Sequence, residues 1–481
     1  MKFMAALIAL MIIATASSAE PQTPRSWYVQ AGASGDGASV ERPAGTLAQL
    51  ERLSAPGDQL YVLAGDTPLD GGITLKPGQQ LTGVARDGRK PVITNTSLAR
   101  TGGVGIQLAS GSQVSSVRVE ASFASGIHGR DVTDVRIDKV DVSDANRGQA
   151  FTDFSFPSLP DAVSRPVPHG GIVLVHSEAA AHVEITASTV TQAAGLGIAS
   201  LASGTADVRL SVRGTRVEGG SRIESYDVGV VTMVKDPDAK THLELSDSVI
   251  RGRLTRSGRN VWLRAARGGR ADARIERVLS GAVGQDGIVG SVVQSPSEIS
   301  IYINDSVIED AGQMNVEGTL LNLPPQADLP ADAGRIAIEI ERTVIRNAGA
   351  VHGFEDVAAN VWLGGSLWIS GAPPAVGHYA LKIIDSRIDG AGAAGLEFGN
   401  RQITAAGRTE TSRFDVVLRG NTISRNGQAD LKLNAPTAWI DARKNCWGSA
   451  QGLAEDHIQL FGAAQRTQLD ATEALQCPDE G

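Results

Sequence analysis

Apolar and polar residues alternate along short stretches of this chain, and the stretches repeat. Val183-Glu184-Ile185-Thr186 and Ile336-Ala337-Ile338-Glu339-Ile340 place every second residue on one apolar face, the period of a half-buried strand. Gly171-Ile172-Val173-Leu174-Val175 is apolar throughout. One phrase keeps returning after such strands: Ser/Thr-x-Val/Ile, a loop, then a glycine that leads into a further apolar strand. Val183–Ile198 carries it in full. Copies follow at Thr215-Arg216-Val217, Ser248-Val249-Ile250, Ser306-Val307-Ile308, Thr343-Val344-Ile345 and Ser386-Arg387-Ile388. Asn421-Thr422-Ile423 closes the series, and Arg277-Val278-Leu279 is a degenerate copy. A spacing of roughly thirty to forty residues marks solenoids and propellers. With two or three strands per repeat, the pattern lacks the four that a propeller blade needs. No long helical pattern separates the strands, which excludes βαβ units.

The start of the chain reads as a cap for such a stack. Trp27-Tyr28-Val29 predicts a strand, and Leu47, Leu50 and Leu53 stand at helical spacing behind Thr46, a suitable N-cap. Pro56-Gly57-Asp58 turns the chain into a strand over Leu60–Gly65. An open solenoid must cover its terminal apolar surface and unpaired backbone groups. This opening resembles that of secreted proteins of the pectate-lyase-like superfamily, where "P-x-x-T-L-x-x-L … P-G-D-x-x-Y-V-x-x-G" precedes the coils. Ile440–Gly448, ending Asn445-Cys446-Trp447-Gly448, is similar to the "A-x-x-N-x-W-G" close of many of them. The resemblance implies an all-β chain: one right-handed parallel β-helix solenoid with a short N-terminal capping helix. Its expected divisions are a leader (1–19), cap and first strands (20–65), coils (66–448) and a C-terminal tail (449–481).

Composition refines this picture. Abundant glycine (55 residues) and few aromatics (4%) suit short strands joined by many turns, and 42% hydrophobic residues exclude a disordered chain. Lys2, an apolar run from Phe3 to Ile13 and the small residues to Ala19 have the form of a secretory signal peptide cleaved after Ala19. The run is too short to span a bilayer, so the expectation is a secreted or periplasmic protein without a membrane span. A net charge of −9, one unit more negative without Lys2, disfavours nucleic acid as a partner. The two cysteines, Cys446 and Cys477, read as a disulfide in an oxidising compartment.

In a stack held in register, loops at equivalent positions form columns. One column follows the repeated phrase and precedes the glycine-led strand; the other lies across the coil and is mostly Gly, Ala, Pro and scattered charge. The first is chemically richer. It holds Asp153, Phe154, Asp161, Arg165 and His169, then Arg222, Glu224, Tyr226 and Asp227, then Arg251, Arg253, Arg256 and Arg259, and further on His352 and Asp356. Four arginines close together in an acidic chain would bind carboxylates bidentately, unless they pair with acids on neighbouring coils. A lyase needs a cation to neutralise a uronate and a base to remove a proton. Arg256 is the candidate cation and His169 or Tyr226 the candidate base, with Asp227 and Asp153 orienting. Asp153, Phe154, Arg165, Arg222, Glu224, Arg251, Arg253, Arg259, His352 and Asp356 would bind substrate. Hydrolysis would instead take two carboxylates, from Asp153, Asp161, Glu224 and Asp227. No catalytic motif of pectate lyases, polygalacturonases or mannuronan epimerases is present, and Asp236-Pro237-Asp238-Ala239 departs from the epimerase D-P-H-D. No metal motif occurs; Ca²⁺ stays open as a cofactor without a recognisable site. The expected function is binding, with or without lyase or hydrolase cleavage, of an acidic polysaccharide by a monomer. The alternative is a non-catalytic surface or matrix protein that binds a glycan or another partner.

Overall fold

The computed structural model describes residues 23–148, 169–219, 227–293, 296–321, 332–350, 357–366, 376–400, 411–448, 452–462, 464 and 468–477. The expected leader, residues 1–19, lies outside them. Among the described residues, three sheets of fifteen, twelve and thirteen strands run the length of the molecule, and every ladder between successive coils is parallel. The chain is a right-handed parallel β-helix. One coil shows the plan: Asp207–Arg213 belongs to the fifteen-stranded sheet (sheet 1), Arg216–Glu218 to the twelve-stranded sheet (sheet 2) and Asp227–Lys235 to the thirteen-stranded sheet (sheet 3). Lys240–Ser246 then re-enters sheet 1, in register with Asp207–Arg213.

The alternating strands of sheet 1 bury one face, as their sequence predicts. Val208, Leu210 and Val212 are buried, as are Leu243 and Leu245 one coil on. The apolar member of the repeated phrase enters the same core from sheet 2: Val190, Val217, Ile250, Ile308, Ile345, Ile388 and Ile423 are all fully buried.

The Ser or Thr of the phrase explains why the phrase recurs. It stands at the corner between sheets 1 and 2, after a residue of positive φ: Ala187, Gly214, Asp247, Asp305, Arg342 and Asp385, with Arg277 and Gly420 in the same place before Val278 and Asn421. Its side-chain oxygen accepts the amide of the equivalent residue one coil earlier. The bonds are Val140 N–H to Ser188 (3.1 Å), Thr215 N–H to Ser248 (3.1 Å), Val278 N–H to Ser306 (3.1 Å) and Thr343 N–H to Ser386 (3.1 Å). The same hydroxyls donate to the carbonyl two residues back, as Ser306 does to Asn304 (2.8 Å) and Ser386 to Ile384 (2.8 Å). Asn421 and Asn445 continue the column with side-chain oxygens that accept the Ser386 and Asn421 amides, both at 2.9 Å. An amide turned inward at a corner has no ladder partner, and a buried orphan is costly.

Near the N-terminus, Leu47–Leu53 is helical; the Thr46 hydroxyl accepts from the Gln49 amide (3.2 Å), and Leu47 and Leu50 are buried while Leu53 is exposed. Cys446 and Cys477 are disulfide-bonded, tying the chain's last described segment to the final copy of the corner. No described helix is long and apolar enough to cross a membrane.

Ser306→Ala should orphan the Val278 amide and lower stability by about 1–3 kcal/mol, read as a shift in urea unfolding. Ser300→Ala, at an exposed position of the adjoining strand, should change it by less than about 0.5 kcal/mol. Equal effects would contradict the role given to the corner hydroxyl.

Candidate functional site

Sheet 3 differs from the other two because its outer face is buried as well. Its strands carry three outward rows, each read across successive coils from the strand register. The first runs Leu196, Val228, Arg259, Asp286, Met314, Ala359 and Ala394. The second runs Ala199, Val231, Trp262, Val289, Glu317, Trp362, Glu397 and Lys432. The third runs Leu201, Met233, Arg264, Ser291 and Thr319. In the early coils these rows form an apolar cluster separate from the main core. From Arg259 onward charged residues enter them, Asp286, Glu317, Glu397 and Lys432, between apolar ones. Such buried charge is rare unless paired, so this turn from apolar to charged is where chemistry is concentrated.

At the boundary, Arg259, Asp286 and Glu317 lie diagonally on three successive coils. Arg259 Nε is 3.3 Å from Asp286 Oδ2, with Asp286 fully buried and the Arg259 side chain 17% exposed. The guanidinium carbon sits 4.7 Å from the ring centre of Trp262. That ring is buried and anchored by a 3.0 Å bond from its Nε1 to Ser291 Oγ, and Arg264 covers it at 5.2 Å. Cation–π contact of this kind fixes the guanidinium plane. Glu317 stands on the strand next to that of Asp286, three residues along from Met314, the register partner of Asp286. Burial pushes the Glu317 carboxyl well above its ordinary range, and the Asp286 charge adds to the push while Arg259 opposes it. Asp286 is also raised, by burial first. Glu317 is half-buried and keeps a solvent side, as do Gln285 and Gln313 beside it; Gln285 Nε2 donates to Gln313 Oε1 (3.3 Å).

The arginine run does not make one patch. Arg251 pairs with Glu218 on the surface of sheet 2. Arg253 is fully buried, donating to Asp227 Oδ1 (3.0 Å) and the Ala193 carbonyl (3.1 Å). Asp227 is fully buried too and accepts from Thr255 Oγ1 (3.2 Å). Arg253 and Asp227 therefore neutralise each other inside the wall instead of facing a ligand. Arg256 is exposed on the loop, and only Arg259 faces the outer side of sheet 3.

His169 is half-buried at the start of its strand, 3.2 Å from Ser125 Oγ, and burial lowers its pKa. Three coil steps separate its strand from the one that follows Arg256, about 14 Å along the axis at the usual strand spacing. That is too far for a base and a cation acting on one sugar ring, so the expected pairing of His169 with Arg256 is corrected. Tyr226, Asp153, Phe154, Asp161, Arg165, Arg222, Glu224, His352 and Asp356 lie outside the described residues. Sequence reasoning missed Asp286 and Glu317. The available signal was the lone acid of the strand Met314–Leu321, set between Val289 and Trp362 once strands are aligned. Among the described residues no three His, Cys, Asp or Glu side chains converge as metal ligands do.

No family model matches this chain, and no curated protein does. Solved structures give distant likenesses. The A-module of mannuronan C-5 epimerase AlgE6 from Azotobacter vinelandii has a TM-score of 0.44 at 11% identity, over 93% of this chain and 98% of that one. GH136 lacto-N-biosidase from Eubacterium ramulus has a TM-score of 0.39 at 10% identity, over 94% and 67%. Pectate lyase Pel9A has a TM-score of 0.30 at 12% identity, over 95% and 80%. The fold stands on the chain's own three sheets, and the site on its own residues.

Arg253→Met, which strands a buried carboxylate, should cost about 3–5 kcal/mol in urea unfolding, and Arg251→Met less than about 1 kcal/mol. A second outcome concerns His128, buried on the same sheet with an unpartnered Nε2 and a pKa lowered by burial to about 4. The unfolded chain takes up that proton first. Stability held above about pH 6.5 should therefore fall as pH drops toward about 4. His128→Gln should make this decline shallower; an unchanged slope would contradict the assignment.

Proposed function

We propose that this is an exported carbohydrate-active β-helix protein that binds an acidic polysaccharide along the outer face of sheet 3, centred on Arg259, Asp286 and Glu317. The observation that carries the reading is the buried Arg259–Asp286–Glu317 set, with one carboxyl open to solvent. Buried charged groups of this kind cost stability, and perturbed titration in a buried, ion-paired set is characteristic of functional sites. A solenoid wall repeats its surface every coil, which suits an extended polymer. Arg259, held against Trp262, offers a planar donor to a carboxylate. The disulfide fits an oxidising compartment. The pectate-lyase-like resemblance points to the same substrate class, while fold alone never assigns activity.

Any cleavage would draw on Glu317 as the proton-bearing group, because Asp227 is closed off in its ion pair.

The test is a panel of uronate-bearing polysaccharides with binding measured by affinity electrophoresis. Ultraviolet absorbance of unsaturated ends and a count of new reducing ends report cleavage in the same samples. One acidic polymer should bind, and Arg259→Ala should weaken it at least about tenfold, the size of a lost charge-assisted bond. Arg267→Ala, on the opposite loop column, should leave it unchanged. Binding to no polymer, or binding indifferent to Arg259, would overturn the reading.

A further inference from the structure

Away from sheet 3, one aromatic ring faces solvent. Of the described tryptophans, Trp262, Trp362 and Trp447 are buried and Trp27 is partly buried, whereas Trp439 is 59% exposed. It lies on Ala438–Asp441, the strand of sheet 1 that pairs with Arg413–Arg419. Its neighbours Ala438 and Ile440 face the core, so Trp439 points outward and the core does not hold it. Nor does its row call for a large side chain: three coils of the same row carry Ser300, Ala337 and Ala380. An indole left in water is costly, and exposed tryptophan is characteristic of binding surfaces. We propose that Trp439, with Asp415 and Arg413 beside it, binds an uncharged pyranose residue of a glycan. The indole stacks on the C–H face of the sugar, Asp415 accepts its hydroxyls and Arg413 donates to its oxygens. The site shares no residue with the sheet 3 face, so either can fail without the other.

Asp415 is the register partner of Trp439, so the two side chains stand next to each other on adjoining strands, about 4.8 Å apart at the usual strand spacing. The carboxylate is held in place. Its Oδ1 accepts from Arg413 Nε (3.1 Å), and its Oδ2 lies 2.8 Å from both His378 Nε2 and Arg413 Nη2. A carboxylate offers about four acceptor sites and a guanidinium five donors, so both groups keep capacity for a ligand. The Asp415 side chain is 43% exposed and that of Arg413 70%. Charge selects the ligand. Asp415 is balanced by Arg413, and Asp441, two residues along from Trp439, by Arg419 and Arg443. A uronate set on the ring would meet the Asp415 carboxylate, a repulsion that a neutral sugar avoids. The approach is open on the side of the chain end. The last strand of sheet 1, Leu469–Asp470, pairs with Ile440 and Asp441. Gln468, next along, turns its amide to the Ala435, Pro436 and Ala438 carbonyls (3.1, 2.7 and 2.8 Å).

Calorimetry on the mature chain would compare cellohexaose, mannohexaose and xylohexaose with a uronate hexaose. Acrylamide quenching of tryptophan fluorescence would report whether the sugar covers an exposed indole. At least one neutral hexaose should bind, and Trp439→Ala should weaken it at least about tenfold, the size of a lost aromatic anchor. Trp439→Phe, which keeps a ring, should weaken it by no more than about threefold. Asp415→Ala should weaken it about tenfold, the size of a lost charge-assisted bond. Arg259→Ala should leave it unchanged. The bound sugar should shield the native protein from quenching and give Trp439→Phe no such shielding. Because Trp439 lies outside the core, the melting temperature of Trp439→Ala should stay at the native value, which separates lost binding from lost folding. Binding of no neutral hexaose, or neutral-sugar binding that survives Trp439→Ala, would overturn the site. A uronate hexaose bound more tightly than every neutral one, with an affinity that falls in Trp439→Ala, would overturn the choice of an uncharged sugar.

Discussion

From Val140 onward, most coils are fastened to a neighbour at one corner by one side-chain oxygen. The oxygen accepts the inward amide of the coil before it, and where it is a hydroxyl it also donates to a carbonyl of its own coil. The corner is made by a residue of positive φ, which turns the amide away from the ladder and creates the need for a partner. Everything else follows from holding that corner. The apolar residue two places on is aimed into the core, the strands of sheets 1 and 2 fall into register, and loops of unequal length can leave between sheets 2 and 3 without disturbing the stack. A second buried column acts where sheet 3 begins: Asn315 donates to Asn360 (2.7 Å), Asn426 to Asp430 (2.8 Å), and Asp430 meets His457 (2.9 Å). With two such columns, the coil is fixed at both ends of its most variable loop.

That rigidity lets sheet 3 carry buried charge. Exposed ion pairs on sheets 1 and 2, such as Arg277 with Asp247 and Arg346 with Glu309, are solvated and contribute little. On sheet 3, Arg259 is held by the face of Trp262, which is itself held by Ser291. Asp286 is enclosed, and Glu317 alone of the pair reaches solvent.

The coil architecture was legible in the sequence because the corner phrase repeats, and repetition survives without knowing what the serine does. The separation of the two loop columns was legible for the same reason. The arginine run was not. Arg251, Arg253 and Arg259 are close in sequence but leave the chain on sheet 2, toward the interior and on sheet 3 respectively, because the loop turns between them. His169 and Arg256 share a column, yet stacking places them several coils apart. Glu317 was hidden because an apolar strand buried on both faces shows no period that marks its outer residues. Only the in-register row of Trp262, Val289, Glu317 and Trp362 reveals it.

The central claim is that the outer face of sheet 3 is the working surface. Hydrogen–deuterium exchange with and without a bound uronate oligosaccharide tests it most directly. Slowed exchange should map to Gly258–Ala266, Asp286–Val293 and Met314–Leu321, with the strands of sheet 1 in the same coils unchanged. Protection confined to sheet 1, or to the loops between sheets 3 and 1, would contradict the account.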